Sequence, residues 1–195
     1  MRSKYYILLL FGLLVQFGAK GQNDVAIKSN ILYDLTATIS AGIEVGLAPR
    51  WSIDVSGNFN AWTMKNDRRW KHYLVQPEVR YWLCDRFMGH FLALHLHGGQ
   101  YNFGGIKNSI NFLGTNLSNL TTHRYQGWFA GAGIGYGYAI VLGRHWNLEI
   151  EAGIGYAYTV FDEFECAGCG RKVNTDLNHH YFGPTKLAVN FVYLF

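Results

Sequence analysis

The chain has 195 residues, enough for one domain, and no proline-rich linker or run of charges indicates a second. Only 15% of the residues are charged, against about 25% in ordinary soluble domains, whereas 16% are aromatic and 23 residues are glycine. A formal net charge of only +4 gives no basic footprint of the kind that nucleic-acid-binding proteins carry, so no nucleic-acid partner is predicted.

The N-terminus has the three parts of a secretory signal peptide. Arg2 and Lys4 precede an apolar run over residues 7–18, and AKG at 19–21 forms a small-x-small cleavage site. An uncleaved membrane anchor is the alternative, but a spanning helix needs about 20 apolar residues. We therefore predict a cleaved signal peptide over residues 1–21 and one mature domain over residues 22–195.

After the signal, polar and apolar residues alternate with a period of two, which is typical of β-strands. The alternation recurs in eight segments, many of them near the 9–11 residues or so that a tilted membrane strand needs. The predicted strands cover residues 25–33, 39–47, 51–60, 73–82, 92–97, 127–138, 146–158 and 186–195. Pro77 removes a ladder hydrogen bond from the fourth strand, so we predict a bulge there.

Short and long connections alternate along the chain. The predicted short turns are 48–50, 83–90 and 141–145, and the predicted longer loops are 63–71, 104–123 and 160–180. Membrane barrels have short periplasmic turns and longer outer loops, so an even strand count places both termini in the periplasm. The loop at 104–123 is rich in Asn, Ser, Thr and Leu, a composition that fits an ordinary loop or, alternatively, adhesion or docking of a partner.

Alternation alone does not say which face points inward, so it fits both a soluble barrel with an apolar lumen and a membrane barrel with a polar lumen. The polar face of the sixth strand is almost entirely glycine, which suits the cramped interior of a narrow barrel. Aromatic residues cluster near strand ends, as in the two interfacial girdles of a membrane barrel. The first girdle is predicted from Trp62, Trp70, Tyr73, Tyr101, Trp128 and Tyr158, and the second from Trp51, Tyr81, Trp82, Phe91, Tyr138, Trp146 and Tyr193.

The chain ends on an alternating apolar pattern at Phe191, Tyr193 and Phe195, which resembles the C-terminal signal that barrel-insertion machinery recognises. The sequence thus predicts an all-β fold, an eight-stranded antiparallel up-and-down transmembrane β-barrel after a cleaved signal peptide. It would lie in a bacterial outer membrane, in contact with outer-membrane lipid.

Charged residues fall on the predicted inward face. They are Lys28, Glu44, Asp54, Glu78, Arg80, His95, Glu149, Glu151 and Lys186. Eight strands leave an interior just wide enough for side chains, so these groups are expected to pair with one another and fill it. A structural network of salt bridges is the main interpretation and a narrow ion or proton path the alternative; an open diffusion pore is not expected.

No constellation predicts catalysis, and no cofactor is predicted. Small outer-membrane barrels can be lipid-modifying enzymes, but no His-x-Ser or Asp-Ser element lies on a predicted strand. Glu149 and Glu151 lie on one face of one strand, about 7 Å apart, but a sealed interior would keep substrate away from them. A lipid-modifying enzyme therefore stays the alternative to a non-enzymatic barrel.

Cys166 and Cys169 lie in the last predicted outer loop. In an oxidising compartment, two cysteines this close most simply form a disulfide. A zinc site on Cys166, Cys169 and His179 is the alternative, although the spacing matches no standard zinc motif. Cys84, in a predicted periplasmic turn, has no evident partner.

Five short stretches carry a resemblance to a known family. They are SNILYD at 29–34, QPEVRYW at 76–82, GGQY at 98–101, CAGCG at 166–170 and YFGPTK at 181–186. Together they resemble a family of small outer-membrane proteins from Bacteroides-type bacteria, known as domain of unknown function 3575. The resemblance covers the mature chain and implies fold and location; it implies no activity, and an association of some members with fimbrial genes implies an assembly role.

The predicted function is accordingly structural, anchoring or interaction through the extracellular loops. An envelope or fimbrial protein is the predicted partner.

Overall fold

The computed structural model describes residues 24–62, 69–105, 110–112, 115–117, 120, 122–166 and 170–195. The predicted signal peptide lies outside the described residues. The strands are β1 (Val25–Asn30), β2 (Ile39–Ala48), β3 (Trp51–Asn60), β4 (Arg69–Trp82), β5 (Gly89–Gly104), β6 (Ile110–Phe112), β7 (Thr115–Leu117), β8 (Arg124–Val141), β9 (Trp146–Phe164) and β10 (Lys172–Leu194). A short helix, α1, spans Ile31–Asp34.

Eight of these strands form one antiparallel, ring-like sheet in the order β1-β10-β9-β8-β5-β4-β3-β2. β1 pairs with both β2 and β10, so the last strand returns to the first. The remaining two, β6 and β7, lie between β5 and β8 in the chain and pair with each other in a separate two-stranded sheet. The predicted all-β class and the eight antiparallel strands are confirmed.

Polar and apolar side chains alternate between the two faces of the sheet. Inward-facing Glu44 and Glu149 are fully buried, whereas outward-facing Ile43 and Ile150 are about half exposed. The faces are those that the two-residue repeat predicts. Within the described part of the chain, no helix has the length and apolarity that a transmembrane helix requires.

The first strand is shorter than predicted. Pairing of β1 with β10 ends at Asn30 and Asn190, and residues 31–34 form α1 instead of continuing the strand to residue 33. The Asn30 side chain accepts a hydrogen bond of 3.1 Å from the Leu32 backbone N–H, which caps the helix. Asparagine at this position therefore ends the strand, although the apolar residues after it still fit a period of two.

The predicted bulge at Pro77 is wrong. Pro77 pairs with Val55 on β3, and the register between β4 and β5 is the same at Val75 as at Glu78. Pairing with β5 merely skips residues 76 and 77, because proline has no N–H to donate there. A register shift occurs instead between Pro184 and Lys186 in β10, where β9 supplies one residue fewer.

The predicted loop at 160–180 is wrong for most of its length. β9 continues to Phe164 and β10 begins at Lys172, so the two strands extend as a hairpin. Lys172 Nζ lies 2.6 Å from Asp162 Oδ2, and Asn174 Nδ2 donates to Glu163 Oε2 at 2.8 Å. Polar residues that suggest a loop in sequence thus pair across an exposed hairpin. β4 likewise begins at Arg69, within the predicted loop at 63–71, and pairs there with Gly104 of β5.

Candidate functional site

The middle of the ring holds a layer of buried charged side chains, which we call the charge layer. Six strands project these charges inward because the charges occupy alternate positions, opposite the exposed apolar ones. The charge layer consists of Lys28 from β1, Glu44 from β2, Asp54 from β3, Glu78 and Arg80 from β4, Glu149 and Glu151 from β9, and Lys186 from β10. All eight residues are at most 8% exposed.

Arg80 is the central cation of this layer. Its guanidinium lies 2.5 Å from Glu78, 2.8 Å from Glu44, 2.9 Å from Glu149 and 2.8 Å from Glu151. The planar fork of arginine offers five N–H donors, which suits it to contact several carboxylates at once. Arg80 therefore links β4 to β2 on one side of the ring and to β9 on the other.

Two lysines complete the pairing at either side of Arg80. Lys28 Nζ pairs with Glu44, lies 3.0 Å from Asp54 Oδ2 and lies 3.1 Å from Glu149 Oε2. Lys186 Nζ lies 2.6 Å from Glu78 Oε2 and 3.0 Å from Glu151 Oε1. The structure thus brings eight of the nine predicted interior residues into one network.

His95, the ninth predicted residue, lies beside the network. Its Nε2 lies 3.0 Å from Thr185 Oγ1, at the register shift of β10. Glu78, His95 and Glu151 place one potential ligand atom each within 4.8 Å of one another, a grouping that could hold a metal ion. Lys186 contacts both carboxylates, however, and already supplies the positive charge that an ion would bring.

Aromatic side chains close the interior below the charge layer, at the end where both termini lie. We call this group the lower aromatic cluster. It comprises Trp82, Phe87 and Phe91 with Ala26, Ala93, Ala139, Val192 and Leu194. The rings of Trp82 and Phe91 are 4.7 Å apart, and the Arg80 guanidinium lies 4.4 Å from the centre of Phe91.

A second group, the upper aromatic cluster, closes the opposite end. It comprises Leu74, Tyr101, Phe103, Leu120, Tyr125, Phe129 and Phe161. The rings of Tyr101 and Phe103 stack 5.2 Å apart. Between the two clusters a polar cavity of about 30 Å³, lined by Lys28, Asp54 and Lys186 among others, has room for about one or two waters.

The prediction is wrong for four of the girdle residues, which point into the ring: Trp70 stacks on the buried Phe103, with ring centres 4.6 Å apart, and the other three are buried. Trp82 and Phe91 are fully buried inside the ring and Tyr101 is 2% exposed. Trp82 Nε1 donates a hydrogen bond of 2.8 Å to Ser52 Oγ, which satisfies the indole inside the ring. These residues lie near strand ends, as girdle residues do, but they occupy inward positions in the two-residue repeat, so their rings point into the ring of strands. Others, such as Trp51, Trp128 and Trp146, are outward and 44–46% exposed.

Sequence reasoning did not single out Ser52 and Thr185. Ser52 donates a short hydrogen bond to Glu44 and receives one from Trp82, so it joins the charge layer to the lower aromatic cluster. Its inward position in the third strand is a signal that could have found it. Thr185 faces His95 only because of the register shift, which the sequence does not reveal.

The predicted C-terminal signal residues lie on the outward side of β10 or just beyond it. Phe191 is 42% exposed and Phe195 57% exposed, and Tyr193 packs edge-on against Trp146, with ring centres 4.7 Å apart. The Phe195 N–H donates to the Val25 carbonyl at 3.0 Å, which ties the last residue to the first strand.

Cys166 is disulfide-bonded, and Cys84 is a free, exposed thiol. Cys169 lies outside the described residues, so its pairing with Cys166 stays a prediction. A sulfur held in a disulfide is not a thiolate ligand, which disfavours the zinc alternative with His179.

An eight-stranded, antiparallel, ring-like sheet with a charged interior and an apolar outer face defines the class of this protein. The chain belongs to the family described as Protein of unknown function (DUF3575), whose model matches residues 5–195. No curated protein and no solved structure matches the chain. The family membership is thus shown, while the Bacteroides-type outer-membrane affiliation implied by the motifs stays a prediction.

Proposed function

We propose that this protein is a non-enzymatic outer-membrane β-barrel that anchors and presents its extracellular end to a partner. The observation that carries the proposal is the inverted polarity of the ring. Charges are buried in the centre, and large apolar side chains cover the outside. Contact of that apolar outer surface with water would be unfavourable in free energy, whereas contact with acyl chains would not.

The apolar outer face is continuous around the ring. On β5, Leu92, Leu94 and Leu96 are 49%, 59% and 57% exposed. Soluble monomers rarely expose apolar patches larger than a few hundred Å². Contact with lipid would explain why apolar side chains are exposed over the whole outer face.

The direction of insertion follows from the connections. Short turns join β2 to β3 and β8 to β9 at the end where both termini lie, which fits a periplasmic end. At the other end β8, β9 and β10 run to 18, 19 and 23 residues, longer than the roughly 9–11 residues of a membrane-spanning strand. The far ends of β9 and β10, at about residues 160–164 and 172–178, would project from the cell as a polar hairpin, which we call the projecting hairpin.

This projecting hairpin supports an interaction role. Asp162 and Lys172 lie on it, and the hydrogen bond from Lys172 holds the pKa of Asp162 below its ordinary value. A paired, extended hairpin presents a fixed surface to a partner with little loss of conformational entropy on binding. An envelope or fimbrial protein is the proposed partner, and the barrel-insertion machinery is a transient one during biogenesis.

Two rival functions are weaker. An ion or proton channel would need a continuous polar path, and the aromatic clusters lie above and below the charge layer. A lipid-modifying enzyme would need an activated nucleophile open to lipid. The outward face carries two tyrosine–histidine pairs, Tyr136 with His90 at 2.6 Å and Tyr156 with His180 at 2.5 Å, but among the described residues no third group orients either imidazole by a hydrogen bond. Purified protein in planar bilayers is expected to conduct no measurable current and to leave lipid species unchanged.

The free thiol of Cys84 gives a direct test of location and direction. Cys84 lies in the turn between β4 and β5, at the proposed periplasmic end. In intact cells a large, membrane-impermeant maleimide is expected to leave Cys84 unlabelled until the outer membrane is permeabilised. The matched variant carries Cys84→Ser with Asn178→Cys on the projecting hairpin, and it is expected to be labelled in intact cells.

Two outcomes would overturn the proposal. One is recovery of the chain in the soluble fraction without detergent. The other is labelling of Cys84 in intact cells, which would reverse the direction of insertion. Heat-modifiable migration on a gel is the simplest supporting measurement, because it is expected of a closed barrel.

A further inference from the structure

The wall of the ring has a notch between β1 and β10. Pairing of the two strands stops at Asn30 and Asn190, yet β10 continues to Lys172. The Asn30 side chain accepts a hydrogen bond of 3.3 Å from the Val189 N–H and so ends the ladder. Beyond that point no strand among the described residues pairs with this edge of β10. Helix α1 occupies the other side of the notch.

An apolar pocket of about 270 Å³ lies at this notch. Leu32 of α1 and Leu187 of β10 line its outer part, and Tyr33, Trp70, Phe103 and Phe129 line its inner part. Leu74, Thr36 and His72 complete the lining, which contains no Lys, Arg, Asp or Glu. The pocket therefore favours a hydrocarbon ligand and offers no charge to a headgroup.

The pocket is continuous with both the outer wall and the interior of the ring. Leu187 points outward and is 65% exposed, between Phe182 at 77% and Phe191 at 42% along β10. The mouth of the pocket therefore lies within the apolar band of the outer face. At the inner end, Tyr33 and Trp70 pack against the upper aromatic cluster, and Trp70 stacks on Phe103 at 4.6 Å.

We propose that this notch binds one acyl chain of a phospholipid from the surrounding membrane. The inference rests on the proposed function, since only a membrane barrel brings chains to the mouth. A volume near the lower end of the roughly 300–1,000 Å³ typical of ligand pockets suits one slender chain and not a whole lipid. The chain enters past Leu187 and α1, and the upper aromatic cluster ends its path.

The test uses the full mature chain in phosphatidylcholine vesicles that contain a fraction of phosphatidylcholine with a diazirine at the end of one acyl chain. After illumination, mass spectrometry maps the adducts. Adducts are expected on Phe103, Phe129 and Leu74, which are 2–8% exposed and shielded from the bulk lipid. They are also expected on the outward Leu92 and Leu96, which touch bulk lipid in any membrane barrel.

Two matched variants separate the notch from general lipid contact. Leu187→Trp fills the mouth and is expected to reduce the interior adducts about tenfold, while adducts on Leu92 and Leu96 stay unchanged. Leu94→Trp makes the same change at an outward leucine of β5, remote from the notch, and is expected to leave the interior adducts as they are.

Each result decides between distinct claims. Adducts on outward leucines alone would overturn the notch and leave the membrane proposal standing. No adducts anywhere would overturn the membrane proposal and the notch with it. Interior adducts that persist in Leu187→Trp, or that form only with a diazirine-bearing free fatty acid and not with the phospholipid, would also overturn the notch as a phospholipid site.

Discussion

Arg80 is the residue on which the interior depends most. It contacts four carboxylates, and the charge layer as a whole has five carboxylates against three cations. Because negative charge is in excess, loss of a cation is far more harmful than loss of a carboxylate. Burial makes this asymmetry large, since a buried charge without a partner is destabilising by several kcal/mol.

Neutral substitutions at Arg80 and Glu151 test this charge balance. Arg80→Gln is expected to lower the free energy of unfolding in vesicles by about 3–5 kcal/mol, because four carboxylates lose their common partner. Glu151→Gln is expected to lower it by no more than about 1 kcal/mol, because it removes excess negative charge and its amide oxygen still accepts from Arg80. Urea titration followed by tryptophan fluorescence measures both values.

The exposed Arg144, in the turn between β8 and β9, provides the control. Arg144→Gln should change the free energy of unfolding by less than about 0.5 kcal/mol. Equal losses in Arg80→Gln and Glu151→Gln would show that the excess of carboxylates does not control the stability of the interior.

Among the strands, β8 stands out because its inward positions are mostly glycine. These glycines let β5 and β9 place bulky side chains over the backbone of β8. At Gly133 an added Cβ would lie 2.6 Å from the Ile154 carbonyl oxygen and 2.7 Å from His95 Nε2. The narrow interior therefore needs a strand without side chains opposite His95.

Gly133→Ala is expected to lower the free energy of unfolding by about 1–3 kcal/mol through overpacking. The control is Gly143→Ala in the turn between β8 and β9, where an added Cβ would meet no heavy atom within 4 Å. That variant is expected to stay within about 0.5 kcal/mol of the parent. A similar loss in both variants would mean that backbone freedom, and not space over β8, explains the glycine at residue 133.

The strands also show what sequence can and cannot predict. A period of two fixes which side chains share a face, so the charge layer and the outward leucines are predictable from residue order alone. Strand ends are less predictable, because local hydrogen bonds decide them: the Asn30 side chain ends β1, and cross-strand pairs such as Lys172 with Asp162 lengthen β9 and β10.

Register shifts cannot be predicted from the sequence for a similar reason. Proline signals a missing donor but not whether the strand bulges, so Pro77 keeps its register while the segment from Pro184 to Lys186 does not. The ion pairs themselves are also outside the reach of the sequence, since partners such as Lys28 and Glu149 lie 121 residues apart.

At the scale of the whole molecule, the ring inverts the usual arrangement of a soluble protein. The interior is stabilised by ion pairs capped with aromatic rings, and the exterior presents leucine, isoleucine and aromatic side chains. A charge placed on such a surface has different effects in water and in lipid. In water a charge placed on it would be harmless, whereas in the hydrocarbon core the same charge would be strongly unfavourable.

Leu94→Arg distinguishes these environments because Leu94 lies between two other exposed leucines in the outward face of β5. In a membrane barrel the free energy of unfolding is expected to fall by about 2–4 kcal/mol in vesicles, as for arginine near the bilayer midplane. Gln100→Arg is the matched control: it places the same charge on the same strand, six residues nearer the proposed extracellular end, at a position that is already polar and exposed. There the expected change is about 0–1 kcal/mol, since the arginine can reach the interface. If Leu94→Arg were as mild as Gln100→Arg, the outer face of β5 would not be in contact with acyl chains, because only a low-dielectric surrounding makes the two positions differ.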